Sequence, residues 1–519
     1  MVIDTGLPIL DVKPVPGTLA SGQPVDDCGV RFSFDNSYVR LPERFYARLG
    51  PTRVAEPRLA RINRPLALQL GLDPEALAAS AGVEILAGNR IAHGSETIAL
   101  AYAGHQFGSF VPQLGDGRAI LLGEIITSDG TRRDIQLKGS GRTPFSRGGD
   151  GRAALGPVLR EYIVSEAMAA LGIPTTRSLA AVMTGEPVQR ETTLPGAVLT
   201  RVASSHIRVG TFEYFAARGD VEALRLLADY VIARHYPDTA AHDEPVRAMF
   251  ERVVLRQAEL VAKWLLVGFI HGVMNTDNTS IAGETIDYGP CAFMDAYHPE
   301  TVFSSIDHRG RYAYGNQPGI AAWNLARFGE TLLPLLSDDT ETAITRAEES
   351  LGAFSNRFSQ TLVAGLRRKL GIFFERNGDA ALAQDLLNAM AENHADFTLT
   401  FRRLCDAAGN PDADADVRRL FENPATYDSW AQRWRQRLAD EPHDLSTRRA
   451  TMEAANPAYI PRNHRVEAAL SAATEHGDFT PFEELMTVLA NPYEDQAEFS
   501  DYTNPPRPEE RVCSTFCGT

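Results

Sequence analysis

Two side chains with oxygen donors, Asn278 and Asp287, stand nine residues apart in a polar stretch of the chain. Amide and carboxylate oxygens suit a hard cation such as Mg²⁺, which proteins usually hold with few groups of their own while substrate phosphates complete the shell. The segment HGVMNTDN, which ends at Asn278, and the triplet DYG, which begins at Asp287, therefore predict a site for a divalent metal and a phosphate-bearing ligand. A polar turn between two hairpin strands is the alternative interpretation.

The same segment can be compared with the catalytic loop of protein kinases, in which an Asn and the Asp of a D-F-G triplet hold the metals. A kinase places its catalytic Asp five residues before the metal-binding Asn. That position is Val273 here, and the nearest acid is Asp277, directly adjacent to Asn278. Ordinary transfer of a γ-phosphoryl group is therefore disfavoured, and Asp277 is the predicted acceptor of a hydroxyl proton.

A glycine turn, a strand lysine and a helix glutamate precede this segment. Gly115 and Gly117 would let backbone amides approach phosphate oxygens, although a hairpin turn explains them equally well. Lys138 ends the strand-like segment DIQLKGSG, where it either offers a cation to phosphate or marks the solvent end of a strand. Glu161, on a following helix, is placed to hold Lys138 by an ion pair. This order of features is typical of the nucleotide site of a protein kinase.

A series of arginines surrounds these motifs. Guanidinium groups match phosphate oxygens in paired geometry, so several that converge on one cleft would neutralise a triphosphate. Arginines scattered over the surface are the alternative. The series comprises Arg142, Arg147, Arg152, Arg201 and Arg208.

Strand and helix signals are distributed unevenly along the chain. Strands are predicted over residues 98–102, 119–126, 134–137, 178–184 and 197–203. Helices are predicted over 157–171, 221–235, 245–269 and much of 320–490, and the apolar stretch 260–274 is expected as a buried helix. Residues 1–90 are expected to mix Pro-rich loops with short helices. Runs of strands followed by runs of helices predict an α+β fold with two lobes.

The acidic balance of the chain limits its partners. Lys and Arg number 51 against 67 Asp and Glu, which gives a formal net charge of −16. A general nucleic-acid or anionic-membrane binder depends on a broad excess of basic residues, so neither partner is expected. A local basic pocket for phosphate remains compatible with this charge. The first ten residues, MVIDTGLPIL, lack the pattern of a secretion or transit signal, and a cytoplasmic protein is expected.

Five cysteines in so long a chain do not form a secreted disulfide framework. Cys513 and Cys517 are four residues apart, one residue longer than the C-x-x-C redox spacing. No second pair completes a zinc site. Two interpretations stay open for this pair: incidental thiols on a tail, or a redox pair.

At these residues the chain resembles the selenoprotein O family of kinase-like protein adenylyltransferases. The resemblance rests on blocks that follow one another between residues 97 and 470: AYAGHQFGSFVPQLGDGRA, QLKGSGRTPFSRGGDGRAALGPVLREY, HGVMNTDNTSIAGETIDYGPCAFMD, SSIDHRGRYAYGNQP and NPAYIPRNHRVEAAL. It implies a bilobal kinase-like fold that binds ATP in a flipped orientation, with the γ-phosphate buried. It also implies transfer of AMP from ATP to Ser, Thr or Tyr hydroxyls of proteins with release of pyrophosphate. UMP transfer from UTP with manganese is left open.

The resemblance also implies a role for each candidate residue. Asn278 and Asp287 would bind Mg²⁺ or Mn²⁺, Asp277 would be the general base, and Glu161 would orient Lys138. The residues that would bind the nucleotide are Gly115, Gly117, Arg118, Lys138, Asp150, Gly151, Arg201, Arg208 and Asp287.

Four regions follow from the implied fold. They are an N-terminal extension that packs on the core (1–95), a strand-rich N-lobe (96–215), a helical C-lobe with the metal-binding loop (216–340), and a further helical region with the Cys-containing tail (341–519). Two alternatives to AMP transfer remain: a conventional kinase and a catalytically inactive nucleotide-binding scaffold. The presence of Lys138, Asn278 and Asp287 together speaks against the scaffold.

Many relatives in that family carry selenocysteine near the C-terminus in a Cys-x-x-selenocysteine arrangement. Cys517 occupies the corresponding third-from-last position, whereas Cys513 lies one residue further upstream than the pattern requires. Cys291 follows Asp287 by four residues. A bridge between a tail cysteine and Cys291 is predicted to tie activity to redox state.

Overall fold

Strands dominate the chain up to residue 203 and helices dominate it thereafter in the computed structural model, which describes residues 29–516. The strands are β1 (Tyr46–Arg48), β2 (Arg58–Ile62), β3 (Ile98–Leu100), β4 (Gly104–Gln106), β5 (Ser109–Val111), β6 (Ala119–Ile126), β7 (Arg132–Lys138), β8 (Ala153–Ala154), β9 (Arg177–Gln189), β10 (Thr193–Ala203), β11 (Phe269–Ile270) and β12 (Ala292–Phe293).

Most helices follow the last long strand. They are α1 (Arg64–Gln69), α2 (Pro74–Ala78), α3 (Ser80–Leu86), α4 (Leu155–Ala170), α5 (Val209–Ala216), α6 (Val221–His235), α7 (Pro245–Leu266), α8 (Gln317–Leu336), α9 (Thr340–Lys369), α10 (Asp379–Glu392), α11 (Phe397–Ala407), α12 (Asp414–Arg418), α13 (Pro424–Ala439), α14 (Leu445–Glu453), α15 (Asn463–His476) and α16 (Thr480–Leu489). A short 3₁₀ turn at Thr276–Asn278 lies between α7 and α8.

The main sheet is antiparallel, in the order β1-β3-β6-β7-β10-β9-β2, with β8 paired to β10. In the β7–β10 register Lys138 lies opposite Leu199, and Gln136 lies opposite Arg201. Opposed residues and residues two apart in a strand project from the same face. The pleat therefore directs Lys138 and Arg201 to one side of the sheet, the side that α4 covers.

Both faces of the sheet are buried. Helices α1, α2 and α3 pack on one face around Leu77, Leu86, Leu137 and Val198. On the other face α4 packs against β9 and β10, and α15 and α16 pack in turn on α4. The C-terminal helices thus return to support the strand-rich part of the chain.

A second and larger core joins α5 to α11 and α13 with the short β11–β12 pair. The chain between these two short strands carries the predicted metal-binding residues. Aromatic packing around Phe269, which contacts Trp264, Tyr288 and Phe293, holds this segment against α7. A rigid hydrophobic base therefore fixes a mostly irregular polar loop.

The prediction of a strand-rich part followed by a helical part is confirmed, and the boundaries predicted for β6 and α6 coincide with those observed. Residues 1–90 contribute the edge strands β1 and β2, which the sequence interpretation missed because both are short and lie among prolines. The helix expected over 260–274 is wrong beyond Leu266. Gly268, at φ 72°, turns the chain into β11. Across residues 29–516, no helix has the length and apolar content needed to cross a bilayer.

Arg462 links the chain segment just after β12 to the C-terminal helices. Its side chain is 1% exposed and pairs with Asp295, just after β12, and with Asp396, which caps α11. It also donates to the backbone oxygen of Thr503 at 3.0 Å. Two carboxylates thus share one buried guanidinium.

We expect Arg462→Ala to lower the free energy of unfolding by about 3–5 kcal/mol, because it leaves buried carboxylates without their cation. Urea denaturation measures the change. Arg433→Ala is the matched control, since the Arg433–Asp385 pair is 55% and 41% exposed and such a pair contributes at most about 1 kcal/mol. Equal losses in both variants would contradict a structural role for the Arg462 pairs.

Candidate active site

One cleft of about 800 Å³ lies between the sheet, the glycine-rich segment 141–152 and the loop that carries Asn278 and Asp287. Glu161 does not line it and instead lies behind Lys138, and the predicted redox residues Cys291 and Cys513 do not line it either. The predicted residues that line the cleft are Gly115, Gly117, Arg118, Lys138, Arg142, Arg147, Asp150, Gly151, Arg152, Arg201, Arg208, Asp277, Asn278 and Asp287. The structure therefore brings together motifs that lie up to 172 residues apart in the sequence.

A buried cluster of five charged side chains forms the inner end of the cleft. Lys138 Nζ lies 2.6 Å from Glu161 Oε2 and 3.1 Å from Asp287 Oδ1. Arg201 Nη2 lies 2.5 Å from Glu161 Oε1 and 2.6 Å from Asp287 Oδ1. Arg208 Nη1 lies 2.7 Å from Asp287 Oδ2. Three cations therefore face two carboxylates at close range, and Asp116 Oδ1 adds a third carboxylate 4.0 Å from Arg208 Nη2.

Asp287 is held in an unusual backbone conformation at the centre of this cluster, with φ 65°. Left-handed backbone at a residue other than glycine costs about 1–3 kcal/mol and persists only where the surroundings impose it. Burial alone would raise the pKa of Asp287, but the charges of Arg201, Arg208 and Lys138 lower it well below its usual value. Asp287 is therefore a permanent carboxylate, suited to a cation ligand.

Asp277 sits in the 3₁₀ turn with one carboxylate oxygen engaged. Gln106 Nε2 donates to Oδ2 at 3.2 Å, whereas the buried Oδ1 has no hydrogen-bond partner within the described residues. Burial raises the pKa of Asp277 to about 6, against the opposing charge of Arg208. An unpartnered carboxylate oxygen with a raised pKa has the properties of a proton acceptor.

Asn278 presents an oxygen because its amide nitrogen is used elsewhere. Its Nδ2 donates to the carbonyl of Val273 at 2.9 Å, which orients the side chain and leaves the amide oxygen to the cleft. Residues 29–516 contain no cluster of three or more His, Cys, Asp or Glu side chains arranged for metal binding. A magnesium site of one or two protein oxygens completed by phosphates is not such a cluster. The donor set of Asn278 and Asp287, with the orphaned Asp277 oxygen beside it, fits a hard cation.

Glycines give the outer wall its shape at two positions. Gly115 has φ 75°, and a Cβ there would lie 2.3 Å from the ring of Phe145. Gly151 has φ 69°, and its Cβ would lie 2.1 Å from the carbonyl of Gly141. Any larger residue would force the two loops apart, so both glycines are required for the narrow shape of the cleft.

The arginine series is divided by depth. Arg201 and Arg208 are 1% and 4% exposed at the inner end. Arg152 instead pairs with Glu186 and donates to the backbone of Thr52 at 3.0 Å, a structural role. Arg142 and Arg147 line the cleft but are exposed. Arg152 lines the cleft as well, so all five predicted arginines converge on it, but only Arg201 and Arg208 belong to its deep charged cluster.

Comparison with known proteins identifies one family for this chain. The family model described as "Protein adenylyltransferase SelO" matches residues 30–490. A "Protein nucleotidyltransferase YdiU" of Rhodopseudomonas palustris (strain BisB5) is 67% identical over 94% of this chain and 100% of its own length. The protein of the same name from Bradyrhizobium diazoefficiens is 66% identical over the same shares.

The chain belongs to the SelO family. It is accordingly a nucleotidyltransferase, and the predicted enzyme class is confirmed.

Three cleft residues of this SelO-family chain were missed by sequence reasoning. Asp116 is buried between the two glycines of the nucleotide turn and accepts from the backbone of Leu100 at 3.1 Å. Tyr102 supports Arg208, whose guanidinium carbon lies 4.6 Å from the ring centre. Gln106 reaches Asp277. Asp116 adjoins a recognised motif, but the contacts of Tyr102 and Gln106 have no local sequence signal because they depend on tertiary packing.

The cysteines are placed unevenly around the site. Cys291 is buried and Cys513 is exposed, while Cys517 lies outside the described residues. The chain at Thr515 nevertheless reaches the loop that follows Asp287. Thr515 pairs with Ser304, and its hydroxyl donates to the carbonyl of Pro290 at 2.6 Å. Thr515 therefore lies beside the residue that precedes Cys291.

Gly104 offers a test of the Asp277 position. A Cβ at residue 104 would lie 2.6 Å from Asp277 Oδ1 and 2.8 Å from its Cβ. We expect Gly104→Ala to displace the carboxylate and to lower the rate of nucleotidyl transfer about 10²-fold, the effect of a displacement of about 1 Å. Steady-state kinetics measure the loss.

Gly156→Ala provides the control, because a Cβ there meets nothing closer than a methyl of Thr474 at 3.7 Å. That variant should retain wild-type activity. Unchanged activity in Gly104→Ala, at a wild-type melting temperature, would contradict a role for the Asp277 position.

Proposed function

We propose that this chain transfers AMP from ATP to Ser, Thr or Tyr hydroxyls of proteins and releases pyrophosphate. The observation that carries the proposal is the division of the cleft: cations without full compensation lie at its buried end, and an unpartnered carboxylate oxygen lies on Asp277. The name of the matching family, protein adenylyltransferase, supports the same reaction.

The depth of the cations favours a nucleotide bound with its phosphates inward. Lys138, Arg201 and Arg208 offer donors to the β- and γ-phosphates, since guanidinium and ammonium groups bind phosphate oxygens by charge-assisted hydrogen bonds. The nucleoside would then lie toward Gly115, Gly151 and the exposed glycine-rich segment. This arrangement turns the α-phosphorus, rather than the γ-phosphorus, toward the acceptor.

Asn278 and Asp287 would hold Mg²⁺ or Mn²⁺. The metal would supply charge neutralisation at the phosphates, together with the cations of the cluster. Asp287 is shared in the structure among Lys138, Arg201 and Arg208, and these three cations are the groups that the phosphates would engage. The protein therefore already holds the charges that the nucleotide requires.

Asp277 would accept the proton in the transfer step. The acceptor oxygen attacks the α-phosphorus, the bond from the α-phosphorus to the bridging oxygen breaks, and pyrophosphate leaves with the bonding electrons. The hydroxyl proton passes to the carboxylate of Asp277. A conventional kinase reaction is disfavoured because Val273, an apolar residue, occupies the position of the kinase Asp and lines the same cleft.

A bilobal kinase-like architecture is part of the proposal. The paired Lys138 and Glu161, from β7 and α4, support it. We place the lobes at 96–215 and 216–340, with the extension 1–95 before them and the helical region 341–519 after them. The acidic net charge of −16 favours protein acceptors in the cytoplasm over nucleic acid or membrane.

We expect purified protein with Mg²⁺ or Mn²⁺ to label protein acceptors from ATP labelled at the α-phosphate and not from ATP labelled at the γ-phosphate. Asp287→Asn should lower the labelling about 10³-fold, because a neutral amide holds the divalent metal more weakly and leaves Lys138, Arg201 and Arg208 without their shared carboxylate. Asp277→Asn should lower it by about 10²–10⁴-fold by removing the base. Incorporated label, counted after gel separation, measures both.

Asp385→Asn is the surface control and should label normally. A chelator should abolish labelling, and α-labelled UTP with Mn²⁺ tests UMP transfer in the same assay. Label from the γ-phosphate alone would establish a kinase and overturn the proposal. If neither α-labelled nor γ-labelled ATP labels protein, the result would favour an inactive scaffold.

We also propose that oxidation of the tail regulates the enzyme through Cys291. The contact of Thr515 with Pro290 supports this, since it brings the tail to the loop that follows Asp287. Cys291→Ser should abolish any gain of activity on treatment with a thiol reductant. Cys405→Ala is the control, because burial raises the pKa of Cys405 to about 11 and makes its thiol unreactive. A reductant response that survives in Cys291→Ser would contradict the proposal.

A further inference from the structure

The hairpin of β4 and β5, residues 104–111, lies directly on the turn that carries Asp277. Its backbone is anchored there by two bonds: His105 N donates to Thr276 Oγ1 at 2.7 Å, and Phe107 N donates to Asn275 Oδ1 at 3.1 Å. His105 Nδ1 lies 2.5 Å from Glu213 on α5. The hairpin is therefore a fixed wall of the site.

Phe107 occupies the tip of this hairpin in a conformation that disfavours it. Its φ is 52°, a left-handed value that glycine adopts readily and a bulky residue does not. Its residue surface is 37% exposed, and it lines the cleft. Its ring packs against Tyr312 with centroids 5.1 Å apart, and the Tyr312 hydroxyl donates to the same Asn275 oxygen at 2.6 Å. The surroundings thus hold a partly exposed aromatic ring at a position whose backbone conformation glycine would adopt more readily.

The Phe107 ring belongs to the cleft surface that an acceptor hydroxyl would pass on its way to Asp277. Gln106 occupies Asp277 Oδ2, and Gly104 closes off the space beside Oδ1 on the hairpin side. The apolar residues Phe107, Val273 and Ile306 line the cleft, and Ile306 is 53% exposed. An acceptor hydroxyl that approaches Asp277 therefore passes an apolar surface, in contrast to the cationic inner end.

We propose that Phe107 contacts the acceptor segment of the protein substrate and selects segments with an apolar side chain next to the modified hydroxyl. This rests on the proposed function. Burial of that side chain against Phe107 and Ile306 removes apolar surface from water on both partners. The contact also holds the hydroxyl at Asp277, because Phe107 follows Gln106 directly in the chain.

Peptide labelling tests the proposal. A degenerate peptide library with one fixed Ser, Thr or Tyr is incubated with α-labelled ATP, and the labelled peptides are sequenced by mass spectrometry. We expect wild-type enzyme to enrich Leu, Ile, Val, Met or Phe at a position flanking the hydroxyl. Phe107→Gly should remove the enrichment and raise KM for a preferred peptide roughly tenfold, with KM for ATP unchanged.

The variants separate contact from folding. Glycine suits φ 52°, so Phe107→Gly removes the ring without adding backbone strain. Phe107→Leu keeps an apolar surface and should retain most of the preference. Phe110→Ala is the matched control, since Phe110 is 40% exposed on the same hairpin and lies outside the residues that line the cleft.

The proposal would be overturned by no apolar enrichment with wild-type enzyme, by enrichment unchanged in Phe107→Gly, or by an equal rise in KM for ATP. Labelling of intact proteins without labelling of any peptide would also overturn it, because no linear segment would then be recognised. Absence of α-label on intact proteins as well would instead mark failure of the proposed AMP transfer.

Discussion

The pairing of Asp287 with three cations is the interaction on which the arrangement of the site depends. A buried carboxylate is tolerated only when it is paired, and so is a buried guanidinium. The other charges of the cluster come from β7, α4, β10 and the segment before α5, so these elements must meet at one point if each charge is to have a neighbour of opposite sign. The same requirement fixes the side of the sheet from which Lys138 and Arg201 project.

Pairing within this cluster is incomplete, and that is its chemical significance. Within the cluster three cations face two carboxylates, and partial burial makes their electrostatic interactions stronger than they would be in water. Asp116 lies at the edge of the cluster, where its Oδ1 is 4.0 Å from Arg208 Nη2 and burial raises the pKa of its carboxyl. The cluster is therefore suited to an anionic ligand, and this is the basis for proposing that it binds the phosphates of a nucleotide.

Sequence reasoning found the charged cluster because each member sits in a recognisable local pattern. Lys138 ends an apolar strand, Glu161 lies on a helix, and Asp287 begins a DYG triplet. It did not find Gln106 or Tyr102, whose roles arise from contacts with residues about 100 or more positions away. It missed β1 and β2 for a related reason, since strands of three and five residues gain their stability from neighbours in the sheet and not from their own pattern. The helix predicted through residue 274 was wrong because hydrophobicity marks burial, and a buried strand after Gly268 is as apolar as a buried helix.

The C-terminal helices have a part in the site although they contribute no residue to the cleft. Arg160, beside Glu161 on α4, donates to the carbonyl of Cys291 at 3.3 Å and pairs with Glu467 of α15. Helix α4 is therefore held between the loop that precedes β12 and the C-terminal helices. In addition, Phe482 of α16 packs on Tyr162 of α4. A shift of α4 would separate Glu161 from Lys138 and Arg201, which would leave Asp287 as their remaining carboxylate partner and weaken the fixed geometry of the cluster. The helices beyond residue 340 are thus part of the structure that keeps the inner end of the cleft in place.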